Sequence, residues 1–182
     1  MRKRDTIYAF IDSQNLNYSI QKDIMKKERV VYTGWKIDMN LFYKYLQDKF
    51  RTEKIFLFIG YLPENRAMYS SFQKFGYELI FKPTVKDING KVKGNVDAEI
   101  VLHSVRLKYD EFDKAIFVSG DGDFYCLYEF FEGENKLKSI VIPNQLAQSS
   151  LLKRFDDYKI FIQREKKKLI YKGGRRRTVP RR

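Results

Sequence analysis

The chain has 182 residues, room for one domain of about 100–150 residues with short extensions but not for a second large one. With 36 Lys and Arg against 23 Asp and Glu it carries a formal charge of +13, and its 43% apolar content is that of a folded protein rather than a disordered basic chain. One cysteine, Cys126, excludes an intramolecular disulfide, and one histidine, His103, excludes a four-ligand Cys/His zinc site.

This cysteine usage points to a reducing compartment, and a cytoplasmic location is expected. The basic start Met1-Arg2-Lys3-Arg4-Asp5 precedes only about six apolar residues, short of a signal-peptide core of about 7–15. No stretch approaches the roughly 18 apolar residues of a membrane span, so no membrane partner is expected.

Runs rich in β-branched and aromatic residues predict strands at Ile7–Ile11, Ile55–Tyr61, Tyr77–Phe81, Ala115–Val118, Ser139–Ile142 and Lys159–Ile162. Segments of helical period lie between them: Asn15–Lys27, Asp38–Phe50, Glu64–Phe75, Asp97–Tyr109, Asp123–Phe131 and Leu146–Phe155. Asp38, ahead of Leu41, Phe42, Tyr45 and Leu46, reads as an N-cap before an apolar face. Alternation of strands and helices predicts an α/β domain with a mainly parallel sheet. Asn89-Gly90 marks a hairpin turn, whose Lys86, Lys91 and Lys93 are candidates to face phosphate. Cys126 falls on an apolar helix and is expected in the core.

The charge is unevenly placed. Residues 164–182 hold ten basic residues and one acid, so +9 of the +13 sits there and the body is near neutral. The expected organisation is a domain over residues 1–163 and a basic tail over 164–182, flexible beyond about Leu169. Such a tail is either a solubilising extension or a nucleic-acid arm, with Arg175, Arg176 and Arg177 as candidate phosphate contacts.

In parallel sheets, ligands bind beyond the carboxyl ends of the strands. That rule selects Asp12, at the end of the first strand; Asp121 and Asp123, in Ser119-Gly120-Asp121-Gly122-Asp123-Phe124; and Asp97, opening a long helix. Each alone is explained by helix capping or the helix dipole. Together they form a cluster whose mutual repulsion calls for a cation. Oxygen donors without sulfur suit Mg²⁺ or Mn²⁺, ions that activate water and stabilise phosphodiester displacement. The calcium loop, P-loop and dinucleotide-binding patterns are absent.

Three motifs then resemble those of the NYN domains, including the LabA-like group, within the PIN-like nuclease superfamily. Phe10-Ile11-Asp12-Ser13-Gln14-Asn15 is similar to the family's FIDxxN, Lys93-Gly94-Asn95-Val96-Asp97 to its KGxVD, and Ser119-Gly120-Asp121-Gly122-Asp123-Phe124 to its SGDxDF. They occur in family order, and the resemblance covers about residues 6–162. It implies a PIN-like three-layer α/β/α sandwich and a metal-dependent endoribonuclease. Asp12, Asp97, Asp121 and Asp123 would surround the metal, Asn15 would orient Asp12 or a phosphate oxygen, and Ser119 would fix the loop or contact RNA. Relatives carry a further acid about two helical turns beyond the KGxVD aspartate; His103 stands in that register here, facing roughly as Asp97 does, as a substrate contact or replacement ligand. The departure keeps open a second reading, a non-catalytic RNA-binding or scaffolding module. Either reading is compatible with a homodimer.

Overall fold

The computed structural model describes residues 4–83, 85–86, 92–93 and 96–173. Six parallel strands form the central sheet: β1 (Ile7–Asp12), β4 (Lys54–Gly60), β5 (Glu78–Lys82), β8 (Lys114–Val118), β9 (Leu137–Ile142) and β10 (Lys159–Phe161). Each lies within two residues of its predicted bounds. Their spatial order is β10-β9-β8-β1-β4-β5, so the chain winds outward from β1 in one direction and then restarts beside it with β8. The switch point, where connecting loops diverge and leave a crevice, lies at the carboxyl ends of β1 and β8.

Alternation along β1 divides the core. Ile7, Ala9 and Ile11 pack with Leu57 beneath α1 (Ser13–Gln21) and α2 (Met39–Phe50). Tyr8 and Phe10 pack with Phe56, Phe58 and Phe117 on the other face, beneath α4 (Asp97–Leu102) and α5 (Tyr125–Gly133). Phe10 pairs in register with both Phe56 and Phe117, and its ring stacks on theirs at centroid distances of 5.4 and 5.5 Å. Such pairs contribute about 0.5–1.5 kcal/mol each beyond the area they bury. The architecture is a three-layer α/β/α sandwich with an all-parallel sheet.

Several boundaries depart from the sequence reading. The first helix stops at Gln21 instead of running to Lys27, and a hairpin follows, β2 (Ile24–Lys26) with β3 (Arg29–Tyr32). The returning chain satisfies the helix end: the Ile20 carbonyl accepts both the Trp35 N–H, at 3.0 Å, and the Tyr32 hydroxyl, at 2.9 Å. Gly34 permits this crossing, since a Cβ there would stand 2.0 Å from the Gln21 carbonyl oxygen. The Asp97–Tyr109 helix is α-helical only to Leu102, then a π-turn over His103–Leu107, with Lys108 N–H donating to the His103 carbonyl at 2.8 Å. In place of the Leu146–Phe155 helix stands a turn and then a 3-10 segment, Ser150–Tyr158. A 3-10 turn at Pro63–Asn65 leads into α3 (Arg66–Phe75).

Two short strands, β6 (Val85–Lys86) and β7 (Val92–Lys93), pair antiparallel, while the Asn89-Gly90 turn lies outside the described residues. Packing continues past residue 163. A helix, α6 (Lys166–Leu169), buries Leu169 to 2% exposure, and Asp38 N–H donates to the Leu169 carbonyl at 2.8 Å. Among the described residues no helix is long and apolar enough to cross a membrane.

Candidate active site

Asp12 stands two residues beyond Phe10, so it lies on the aromatic face of β1, with Phe58 beside it in register on β4. It is 4% exposed. As the N-cap of α1 its Oδ1 accepts the N–H groups of Gln14 (3.0 Å) and Asn15 (2.9 Å). Capping by Asp12 is therefore real. Burial first, then the negative charges of Asp97 and Asp121, push the Asp12 carboxyl up to about 6 against the two N–H groups, which lower it.

The loop after β8 is built from short local bonds. Buried Ser119 accepts the Asp121 N–H on Oγ at 3.2 Å, and Asp121 Oδ1 accepts the Asp123 N–H at 3.1 Å. Asn15 reaches across the crevice, its Oδ1 accepting the Gly120 N–H at 2.9 Å. One α1 side chain thus fixes the distance between the two strand ends. From the far side Ser149 N–H donates to the Gly120 carbonyl at 2.9 Å. A Cβ on Gly122 would stand 2.4 Å from Ser149 Oγ, so glycine is needed there for the loop over 143–149 to close down.

Asp97, half-buried at the first position of α4, and Asp121, on the loop after β8, both lie near enough to Asp12 for their charges to raise its carboxyl. Asp123, on the same loop, is exposed, and with Asn15, Asp121, Gln148 and Ser149 it lines a pocket of about 270 Å³. Cys126 is exposed, not in the core: it lies on the outward side of α5, whose inward positions are Leu127, Tyr128 and Phe131.

His103 does not share the direction of Asp97. Six residues of α-helix fall about 120° short of two turns, and its ring meets Phe58 edge-on at 5.4 Å. Burial and then Lys108 lower its pKa, which Glu99 partly offsets; Glu99 itself pairs with Lys82 at 2.5 Å. The Lys93 side chain and Arg175, Arg176 and Arg177 lie outside the described residues.

Tyr128 is a site residue that sequence reasoning misses. It is fully buried on α5, its hydroxyl directed at the Ser119 carbonyl at 3.4 Å. Burial, then Asp12, Asp121 and Asp97, raise its pKa far above the usual range, so it is a neutral floor under the three carboxylates. In sequence it reads as another apolar-face aromatic, because Phe124, Leu127 and Phe131 share that pattern.

These donors are all hard oxygens, the set suited to Mg²⁺ or Mn²⁺. Among the described residues no three His, Cys, Asp or Glu side chains are grouped so as to hold a metal ion between them. A hydrated ion asks less: Mg²⁺ keeps several waters and is usually held by about one or two carboxylates. The residues therefore fit a hydrated divalent ion.

Among curated proteins no sequence match is found. A crystal structure of a protein of unknown function from Vibrio parahaemolyticus superposes with a TM-score of 0.68 at 23% identity, over 89% of this chain and 95% of that one, and shows the same fold. The family model of the NYN domain matches residues 6–163. With that match over most of its length, the chain belongs to the NYN domain family, a PIN-like nuclease family.

Proposed function

We propose that this protein is a ribonuclease dependent on Mg²⁺ or Mn²⁺, hydrolysing phosphodiesters of RNA in the cytoplasm. The observation that supports the reading is buried Asp12 at the sheet's switch point, its carboxyl raised to about 6 by burial and by the charges of Asp97 and Asp121. A buried carboxylate with two acidic neighbours is unfavourable in itself, and a bound cation relieves it. When bound, such an ion supplies an activated water and positive charge against the phosphate.

The chain's own residues do the positioning. Asp12, Asp97 and Asp121 would hold the ion's hydration shell, with Asp123 at the outer edge. Asn15 holds the two strand ends at fixed separation through Gly120, and Ser119 sets the course of the loop that presents Asp121. Tyr128 excludes water from beneath the carboxylates without adding a charge. The basic residues at both ends of the chain, Arg2, Lys3, Arg4 and Arg175–Arg177, would bind backbone phosphates without regard to sequence.

A second reading, an RNA-binding module without catalysis, is favoured by two observations. His103 replaces an acid of the family pattern, and no tight three-ligand cluster is present among the described residues. A labelled RNA panel incubated with Mn²⁺ separates the two. The nuclease reading requires cleavage by the wild type and its loss in Asp121→Asn with RNA binding retained. Undiminished cleavage by Asp121→Asn, or none by the wild type, refutes it.

A further inference from the structure

The same edge of the sheet carries a second cavity that the carboxylates do not use. A groove of about 490 Å³ runs between α1, α2 and α3 on the face of the sheet opposite Asp12. Leu57 and Ile59, from the carboxyl half of β4, form its floor, and Met68, Phe72 and Phe75 of α3 form one wall. Ser13 also lines it, and Ser13 follows Asp12 directly. Groove and carboxylates thus share the corner between β1 and α1.

The rim of this groove is specific in its chemistry. Asn17, Gln21 and Asn40 present carboxamides, groups that both donate and accept hydrogen bonds. Tyr171 closes one end, 46% exposed, with the Lys36 ammonium 4.8 Å from its ring centre. The Tyr171 backbone is pinned there, its N–H donating to the Lys36 carbonyl at 2.8 Å. Among the described residues the one acid on the rim, Asp38, is engaged as the N-cap of α2, accepting the N–H groups of Asn40 and Leu41. Just beyond Tyr171 the sequence runs through Lys172 to Arg175-Arg176-Arg177, no more than about 22 Å of chain away at full extension.

An apolar slot with amide edges and a cation at its mouth suits a flat heterocycle attached to a polyanion. We infer that this groove holds an unstacked base of the RNA strand whose phosphates lie on the carboxylate centre. The inference rests on the ribonuclease reading for its substrate and adds a subsite that selects single strands. Bases in a duplex are stacked and paired and cannot enter.

Ser71→Trp tests it. Ser71 is an exposed groove residue whose hydroxyl only bonds back to the Ala67 carbonyl at 2.9 Å, so the substitution fills the slot from outside the core. Binding is read in EDTA by fluorescence anisotropy with a labelled ten-nucleotide RNA, an abasic tetrahydrofuran-phosphate strand of equal length, and an RNA duplex. Wild type should favour the base-bearing strand, and Ser71→Trp should weaken that strand alone by about tenfold, the loss of one stacked base. If Ser71→Trp does not fold, Tyr171→Ala should show the same selective loss. Equal affinity of wild type and variant for the base-bearing strand, the outcome if the groove serves a peptide or small molecule, overturns the inference. So does an equal loss on all three probes. Selective loss in a protein that cuts no RNA in Mn²⁺ keeps the subsite and removes the nuclease; cleavage with normal binding by Ser71→Trp does the reverse.

Discussion

Replacing Asp12 by Asn removes a buried charge while keeping side-chain shape and an oxygen able to cap α1, since Asn and Asp are comparable N-caps. In the folded protein the wild-type carboxyl titrates at about 6, against 3.8 for the free group. The folded state therefore holds the extra proton between those pH values. Its stabilising contribution is complete below 3.8 and is lost as pH rises through 6. A gap of about two pKa units is worth ~3 kcal/mol. Asp12→Asn, free of this penalty, should be more stable than wild type by up to that amount at pH 7.5 in EDTA. For a domain of this size that is a rise in Tm of about 6–12 °C, at roughly 2–4 °C per kcal/mol. Calorimetric melts at pH 7.5 and pH 4 measure it, and the gain should shrink toward zero at the lower pH. An unchanged or lower Tm at pH 7.5, or a gain independent of pH, would refute the electrostatic origin of the strain.

Asn15→Ala strips the Gly120 N–H of its acceptor and should cost about 1–2 kcal/mol by urea denaturation, along with most of the activity; Asn15→Asp, which keeps the acceptor, should lose less stability. Gly122→Ala drives a Cβ into Ser149 and should cost about 1–3 kcal/mol as overpacking. Gly120→Ala, whose nearest neighbour would be 3.5 Å away, should be tolerated in the same melts. Removing residues 174–182 deletes five arginines and should flatten the salt dependence of RNA affinity by about 3–4 in slope, with Tm unchanged. Leu169→Ala, by contrast, should destabilise by about 2–4 kcal/mol, because that end of the chain is part of the core.

The strands were legible because each is a short apolar run bounded by polar or turn residues, and the sheet rule then located Asp12 and Asp121 from their ends alone. The first helix overran because Ile24 and Met25 continue a plausible apolar pattern. What ends it is tertiary: a returning chain at Gly34 and Trp35, and a tight turn in which Lys27 and Glu28 take left-handed φ values of 47° and 62° without a glycine to announce it. The direction of His103, about 120° from that of Asp97, follows from the 3.6-residue period itself, whereas the π-turn over His103–Leu107 has no mark in that period. Tyr128, and the loop of Ser149 that seats Gly122, escaped because their roles come from long-range packing. Leu169, a single leucine among lysines, joins the core beside α2, a placement that an average over the tail's charge does not show.

The most direct measurement is calorimetric titration of Mn²⁺ into the wild-type protein and Asp12→Asn at pH 7.5. If Asp12, Asp97 and Asp121 act as one ion-holding centre, the wild type binds Mn²⁺ and the substitution weakens binding by at least about tenfold, the loss of one hard carboxylate donor. No binding to the wild type at millimolar Mn²⁺, or equal binding to both proteins, contradicts it.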